Sequence, residues 1–246
     1  MQISFFEEYP TKENLAKLKP ISWKTKLYVA AYSLDEFNST KKPKNVSEMV
    51  YWPILKKQEG YWISPFSRRS ALLRIFNELH NKNVPVMIDA ELPTTKNPFL
   101  YITQSINFFR NRKLIQNFIK SRKNISVAEY YPKGKEQEKI LARWGLHYNP
   151  TLYHNKIIKM VYHSLHSFNE NFIKNELATG KKDYSRKFIV AYGVLATGVA
   201  GNEKILSLEQ LKTDMEIAES IGIKEVIIYR LGGINKKVVN MLKKFV

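Results

Sequence analysis

Residues 84–93 read VPVMIDAELP, an apolar run that stops abruptly at two carboxylates, Asp89 and Glu91, and closes on Pro93. A short apolar run with a proline near either end predicts a strand buried on both faces, as parallel strands are. Side chains alternate along a strand, so Met87, Asp89 and Glu91 share one face and Val86, Ile88 and Ala90 the other. The two acids then stand roughly 6–7 Å apart. Acids so placed beside an apolar wall are a candidate reaction site; the plain alternative is that they cap the following loop or pair with lysines.

Working outward, similar β-type segments recur at 3–9, 26–33, 48–55, 125–131, 156–164, 188–194 and 225–231, each followed by a stretch that can make a helix. In the third, Pro53 removes a ladder donor, so the strand is expected to end at Trp52. Helices are predicted over 65–82, 99–123, 135–147, 169–178 (stopped at Gly180), 207–220 (Ser207 with Gln210 as a capping box, Gly222 as the stop) and 234–246. Thr11 and Asn14 are candidate caps for a helix over 11–18. The SLDEF stretch at 33–37 reads as a turn, a loop runs through Pro98, and Pro132 stops the fifth strand. Eight strand and helix alternations at about 30 residues each predict an α/β fold, a (β/α)8 TIM barrel, as one domain over residues 1–246. An open doubly wound sheet is the alternative, but its Gly-rich first turn is missing and so is a P-loop.

In such a barrel the site is built at the C-terminal strand ends. Standing there are Glu7 and Glu8, Tyr32, Tyr51 and Trp52, Asp89 and Glu91, Glu129 and Tyr130, Tyr162 and His163, Tyr192, and Tyr229 and Arg230. Carboxylates and aromatic rings dominate. Sugar C–H faces stack on Tyr and Trp, and glycoside hydrolysis needs an acid for the leaving oxygen and a group that stabilises an oxocarbenium-like transition state. The candidate catalytic residues are therefore the carboxylates Glu91, Asp89 and Glu129. Glu7, Tyr32, Trp52, Tyr130, Tyr192, Tyr229 and Arg230 are the candidate substrate-binding residues. In a version with two direct carboxylates, Glu91 pairs with Glu129 or Glu7.

The D-x-E of Asp89 and Glu91, the M-x-Y of Met160 and Tyr162, and the eighth-strand VIIYRLGG resemble a reduced form of the chitinase-like TIM-barrel glycoside hydrolases. That resemblance implies Glu91 as general acid, Asp89 as the carboxylate that orients the substrate's nucleophilic N-acetyl group, and Tyr162 as a hydroxyl donor. The sequence departs from the family's D-x-x-D-x-D-x-E run at Val84 and Met87, where two supporting aspartates are missing. Tyr229 also stands where the family carries tryptophan.

Two further chemistries are open. Asp89, Glu91, Glu129 and His163, with His166, offer oxygen and nitrogen ligands for a divalent metal, as in barrel sugar isomerases or metal-dependent hydrolases, although no H-x-H or H-E-x-x-H spacing is present. His163 also lies on the strand face opposite Tyr162. Arg230, followed by Gly232 and Gly233, could clamp an anionic group. The favoured reading needs no metal and no cofactor, and takes a carbohydrate or other small-molecule substrate.

The chain has no cysteine, which excludes disulfides, thiolate metal sites and cysteine nucleophiles. The first residues carry no signal-peptide pattern and no apolar run is long enough to span a bilayer, so a cytoplasmic protein without membrane contact is expected. The net charge of +18 comes from dispersed lysines and arginines. At 110–123 they alternate with apolar residues as the solvated face of an amphipathic helix. A nucleic-acid partner is possible but not favoured, a non-catalytic barrel binding a glycan or anionic polymer is the alternative function, and oligomeric state is open.

Overall fold

The structure is a computed structural model that describes residues 1–93, 99–130, 134–166 and 168–246. Eight parallel strands, β1 (Gln2–Glu7), β2 (Thr25–Ala31), β3 (Val46–Pro53), β4 (Val86–Ala90), β5 (Ile125–Tyr130), β6 (Lys156–Val161), β7 (Phe188–Gly193) and β8 (Glu225–Tyr229), close in sequence order into a barrel. The helices are α1 (Lys12–Ala16), α2 (Leu34–Ser39), α3 (Arg69–Glu78), α4 (Phe99–Thr103), α5 (Phe108–Lys120), α6 (Lys135–Arg143), α7 (Pro150–Tyr153), α8 (Glu170–Tyr184), α9 (Leu208–Ile221) and α10 (Lys236–Leu242). This is the (β/α)8 class. The chain divides into two compact units, one of residues 1–30, 40–50 and 159–246 and the other of residues 31–39 and 51–158.

In the first unit β1 lies between β2 and β8, with Phe5 opposite Leu27 and Ile228, and Phe6 opposite Tyr28 and Tyr229. Paired residues of parallel strands share a face, so Phe6, Tyr28 and Tyr229 stand on one side and Phe5, Leu27 and Ile228 on the other. In the second unit β4 pairs β5 with Met87 opposite Ser126 and Asp89 opposite Ala128. All five residues of β4 are buried, which accounts for its unbroken apolar run.

Several local expectations change. The stretch 99–123 is not one helix: a single 3-10 turn, Ser105–Asn107, separates α4 from α5. The second unit's SLDEF segment is not a bare turn: α2 begins in it at Leu34 and runs on to Ser39. Strand β3 runs through Pro53 rather than ending at Trp52, because a proline at the last position removes only one donor. Helix α8 continues past Gly180 to Tyr184. That glycine is no stop: a Cβ there would lie 2.4 Å from the Phe188 ring, so its role is to let helix and strand approach. By contrast Gly222 caps α9 at φ 76°, as expected, and the Ser207 hydroxyl accepts the Gln210 amide. Gln210 does not close the box, since its side chain donates to Asp214. Thr11 caps α1, whereas the Asn14 amide turns back to Glu7 and the Tyr9 carbonyl. Pro132 and the loop through Pro98 lie outside the described residues.

Candidate functional site

Within the second unit, β4 and β5 build the acid end. The register that places Asp89 beside Ala128 carries Tyr130, two residues on, to the same face. Glu91 directly follows β4. Both acids are buried, at 5% and 8% exposure. Tyr130 is hydrogen-bonded to the Glu91 carboxylate, and its phenol is pushed well above the usual range by burial first, then by the charge and hydrogen bond of Glu91 and the charge of Asp89. Tyr130 is therefore a neutral donor at any working pH. Trp52 shares this face: its neighbour Tyr51 pairs with Val86 and turns the other way, against Phe37 of α2 at 5.2 Å between ring centroids.

The end of β4 is braced by the loop after β3. The Ile63 amide donates to the Asp89 carbonyl at 3.0 Å. That loop is anchored by Glu59, which takes both terminal nitrogens of Arg74 at 2.9 Å and the Lys56 amide at 3.1 Å. Arg74's hydrogen bonds hold the Glu59 carboxyl below its ordinary value of 4.5 against the opposing effect of burial. Tyr32, just past β2, is 44% exposed, with its amide donating to Glu36 at 2.7 Å.

Glu129 lies on the opposite face of β5, in register with Ala90. It is fully buried, accepting the Tyr148 amide at 2.8 Å and lying 2.8 Å from His147 Nδ1. Both carboxylate oxygens are thus engaged by the segment that follows α6.

Within the first unit a second acid meets a phenol. Glu8, the residue after β1, follows the Phe6 alternation and accepts the Tyr229 hydroxyl at 2.5 Å. The Tyr229 ring stacks on Tyr162 at 5.7 Å and 28°. Burial, then the charge and hydrogen bond of Glu8, push the Tyr229 phenol well above its ordinary value. The loop after β7 closes on the pair: a Cβ on Gly198 would stand 1.9 Å from the Tyr229 hydroxyl oxygen and 2.7 Å from a Glu8 oxygen.

Glu7 turns the other way, paired with Val29. It accepts the Tyr9 and Gly232 amides at 2.8 and 2.7 Å, Asn14 at 3.2 Å and Arg230 at 2.9 Å. Burial still outweighs these four donors and leaves its pKa raised. Arg230 spends its other nitrogens on the Thr197 carbonyl and lies over the Tyr9 ring at 4.8 Å. The expected anion clamp is accordingly a clamp on the protein itself. Tyr192, opposite Ile228, also stands on the face away from Tyr229. His163 lies 2.9 Å from Asp214 of α9, while the Tyr162 ring stacks on Tyr229; both residues stand just past the end of β6. Among the described residues no group of three or more His, Asp or Glu side chains is placed to hold a metal ion.

Glu8 was legible only as one of two adjacent acids; the pairing of Phe6 with Tyr229 is what singles it out from Glu7.

No family model and no curated protein matches the sequence. Solved structures share the fold. The glycoside hydrolase domain of PgaB (BpsB) from Bordetella bronchiseptica is 11% identical, with 99% of this chain and 98% of that one covered at a TM-score of 0.58. A GH128 endo-beta-1,3-glucanase from Amycolatopsis mediterranei, solved in complex with laminaripentaose, is 11% identical over 100% and 99% at 0.52. An HMG-CoA lyase from Acenitobacter baumannii, in complex with coenzyme A and 3-methylmalate, is 9% identical over 99% and 83% at 0.53. A fold common to hydrolases and a lyase does not choose a chemistry, so the residues at the strand ends must.

Proposed function

We propose that this chain is a carbohydrate-active barrel, a glycoside hydrolase in which Glu91 is the general acid. The observation that carries the reading is the buried Glu91 with Tyr130 hydrogen-bonded to it and Asp89 on the same face. Glu129 and Glu7 point to the other faces of their strands and are held there by several donors, which weakens the version with either of them as second carboxylate. A substrate-assisted course fits better. Glu91 gives its proton to the glycosidic oxygen as the carbonyl oxygen of the substrate's own 2-acetamido group attacks the anomeric carbon, with Asp89 orienting that group. Water then opens the cyclic intermediate and returns a proton to Glu91. Trp52 and Tyr32, of the same unit as Glu91, are the proposed sugar-contacting rings.

The test is turnover of N-acetylglucosamine oligomers, with β-glucans as the control substrate class. Glu91→Gln should fold normally and lose roughly 10²–10⁴-fold in rate. Tyr130→Phe should lower kcat about tenfold, because the acid loses the donor that positions it. Full activity in Glu91→Gln rejects the assignment. A second reading is favoured by Val84 and Met87, which replace the carboxylates expected to support Asp89: a barrel that binds glycan without turnover. Saturable oligosaccharide binding by the wild-type chain with no hydrolysis, unchanged in Glu91→Gln, would establish it instead.

A further inference from the structure

The second unit carries an outward apolar stripe that the carbohydrate reading does not use. Phe99, Ile102, Ile106 and Phe109 are 71, 71, 83 and 77% exposed. They recur at intervals of three, four and three residues, the spacing that keeps side chains on one helical face. The 3-10 turn between α4 and α5 is flanked by Gln104 and Asn107, both with backbone in the right-handed helical region. The buried face of α5 is separate, made of Asn111, Ile115, Phe118 and Ile119. Beyond Phe109 the exposed positions turn cationic, at Arg110, Lys113, Lys120 and Lys123. Residues 99–123 contain six Lys and Arg and no Asp or Glu.

We propose that the outward face of residues 99–123 docks on an anionic lipid surface. Exposed apolar side chains grouped in this way mark a contact surface. A helix that lies in the membrane interface buries Phe and Ile at the headgroup boundary and sets Lys and Arg against anionic headgroups. Here the apolar part precedes the cationic part along one stripe, so the α4 end enters the interface and the α5 end rests on the phosphates. Charge decides between occupants. A second copy would bring two acid-free cationic faces together, and a nucleic acid would leave four large apolar side chains without use. Among the described residues no helix is long and apolar enough to cross a membrane, so the contact is with the surface.

The experiment is flotation of the full chain with vesicles of phosphatidylcholine alone or mixed with phosphatidylserine. The wild-type chain should float only with the anionic vesicles and be released by salt. The pair Ile106→Ser with Phe109→Ser, and separately Arg110→Glu with Lys113→Glu, should each weaken binding roughly tenfold or more. All four positions are exposed, and circular dichroism checks that the variants stay folded. Failure of the wild type to float with anionic vesicles overturns the proposal, as does equal flotation by both double variants. A concentration-dependent dimer, or binding to an acidic protein, that the same variants abolish in the absence of any vesicle binding would assign the face to that occupant instead.

Discussion

The hydroxyl of Tyr229, at the end of β8, donates to the carboxylate of Glu8, just past the end of β1, at 2.5 Å. The two lie 221 residues apart in sequence, so this bond joins the first strand end to the last. Tyr229→Phe removes a donor from a carboxylate that is only 3% exposed. We expect a loss of about 1–3 kcal/mol in urea denaturation, the cost of withdrawing a hydrogen bond from a buried charged group. Because burial and Glu8 hold this phenol well above its ordinary pKa, Tyr229→Phe should remove one tyrosine from the alkaline absorbance titration of the unfolded chain and none from that of the folded chain.

The fork between Arg74 and Glu59 gives a pH signature. Arg74 lowers the folded pKa of Glu59 below 4.5, so the native state binds that proton less readily than the unfolded chain. The stabilisation is therefore complete above the unfolded value and is lost as pH falls through the folded one. Arg74 is about half exposed, which limits the pair to about 1 kcal/mol. Glu59→Gln should lower stability by that amount at neutral pH and by nothing once the wild-type carboxyl is protonated. Chemical denaturation at both ends of that window checks it, and an equal deficit at both would show that the loss is packing rather than charge.

The period-two rule made much of the strand-end geometry legible from residues alone. It put Asp89 on the face of β4 opposite Ile88 and Ala90, and the same rule sets Glu129 apart from Tyr130 on β5. What it cannot supply is which face of each strand meets which neighbour. That depends on register between strands far apart in sequence, such as Phe6 with Tyr229 or Asp89 with Ala128. The outward stripe of α4 and α5 was hidden for a related reason. Phe108, Phe109, Ile115 and Phe118 all read as apolar, and only the packed chain separates the buried Ile115 and Phe118 from the exposed Phe109.

Gly180 illustrates the same limit and yields a third expectation. A glycine late in a helical pattern reads as a stop, yet α8 passes through it with the Phe188 ring where a side chain would be. Replacing Gly by Ala inside a helix usually stabilises by about 1 kcal/mol. Here the added methyl would overlap an aromatic ring at the start of β7, and overpacking of that kind costs about 1–3 kcal/mol. Gly180→Ala should therefore lower the thermal midpoint. A rise would mean that Phe188 moves aside freely.

Glu129 poses the sharpest choice between a chemical and a structural role, because both were open from sequence. Its side chain lies on the face away from Asp89, fully buried, with the Tyr148 amide and His147 on its two oxygens. Those partners sit beyond α6, so the carboxylate pins the chain that leads into α7 against β5. Replacing it by glutamine keeps the size but puts an amide nitrogen where one of two donors now bonds. The mismatch should cost about 2–4 kcal/mol, in the range for breaking a buried charged network. Any fall in turnover should then follow the folded fraction, and the specific rate of the folded protein should stay within a fewfold of wild type. Denaturation curves paired with activity corrected for folded fraction separate the roles: normal stability with a rate lost by orders of magnitude would return Glu129 to the reacting groups.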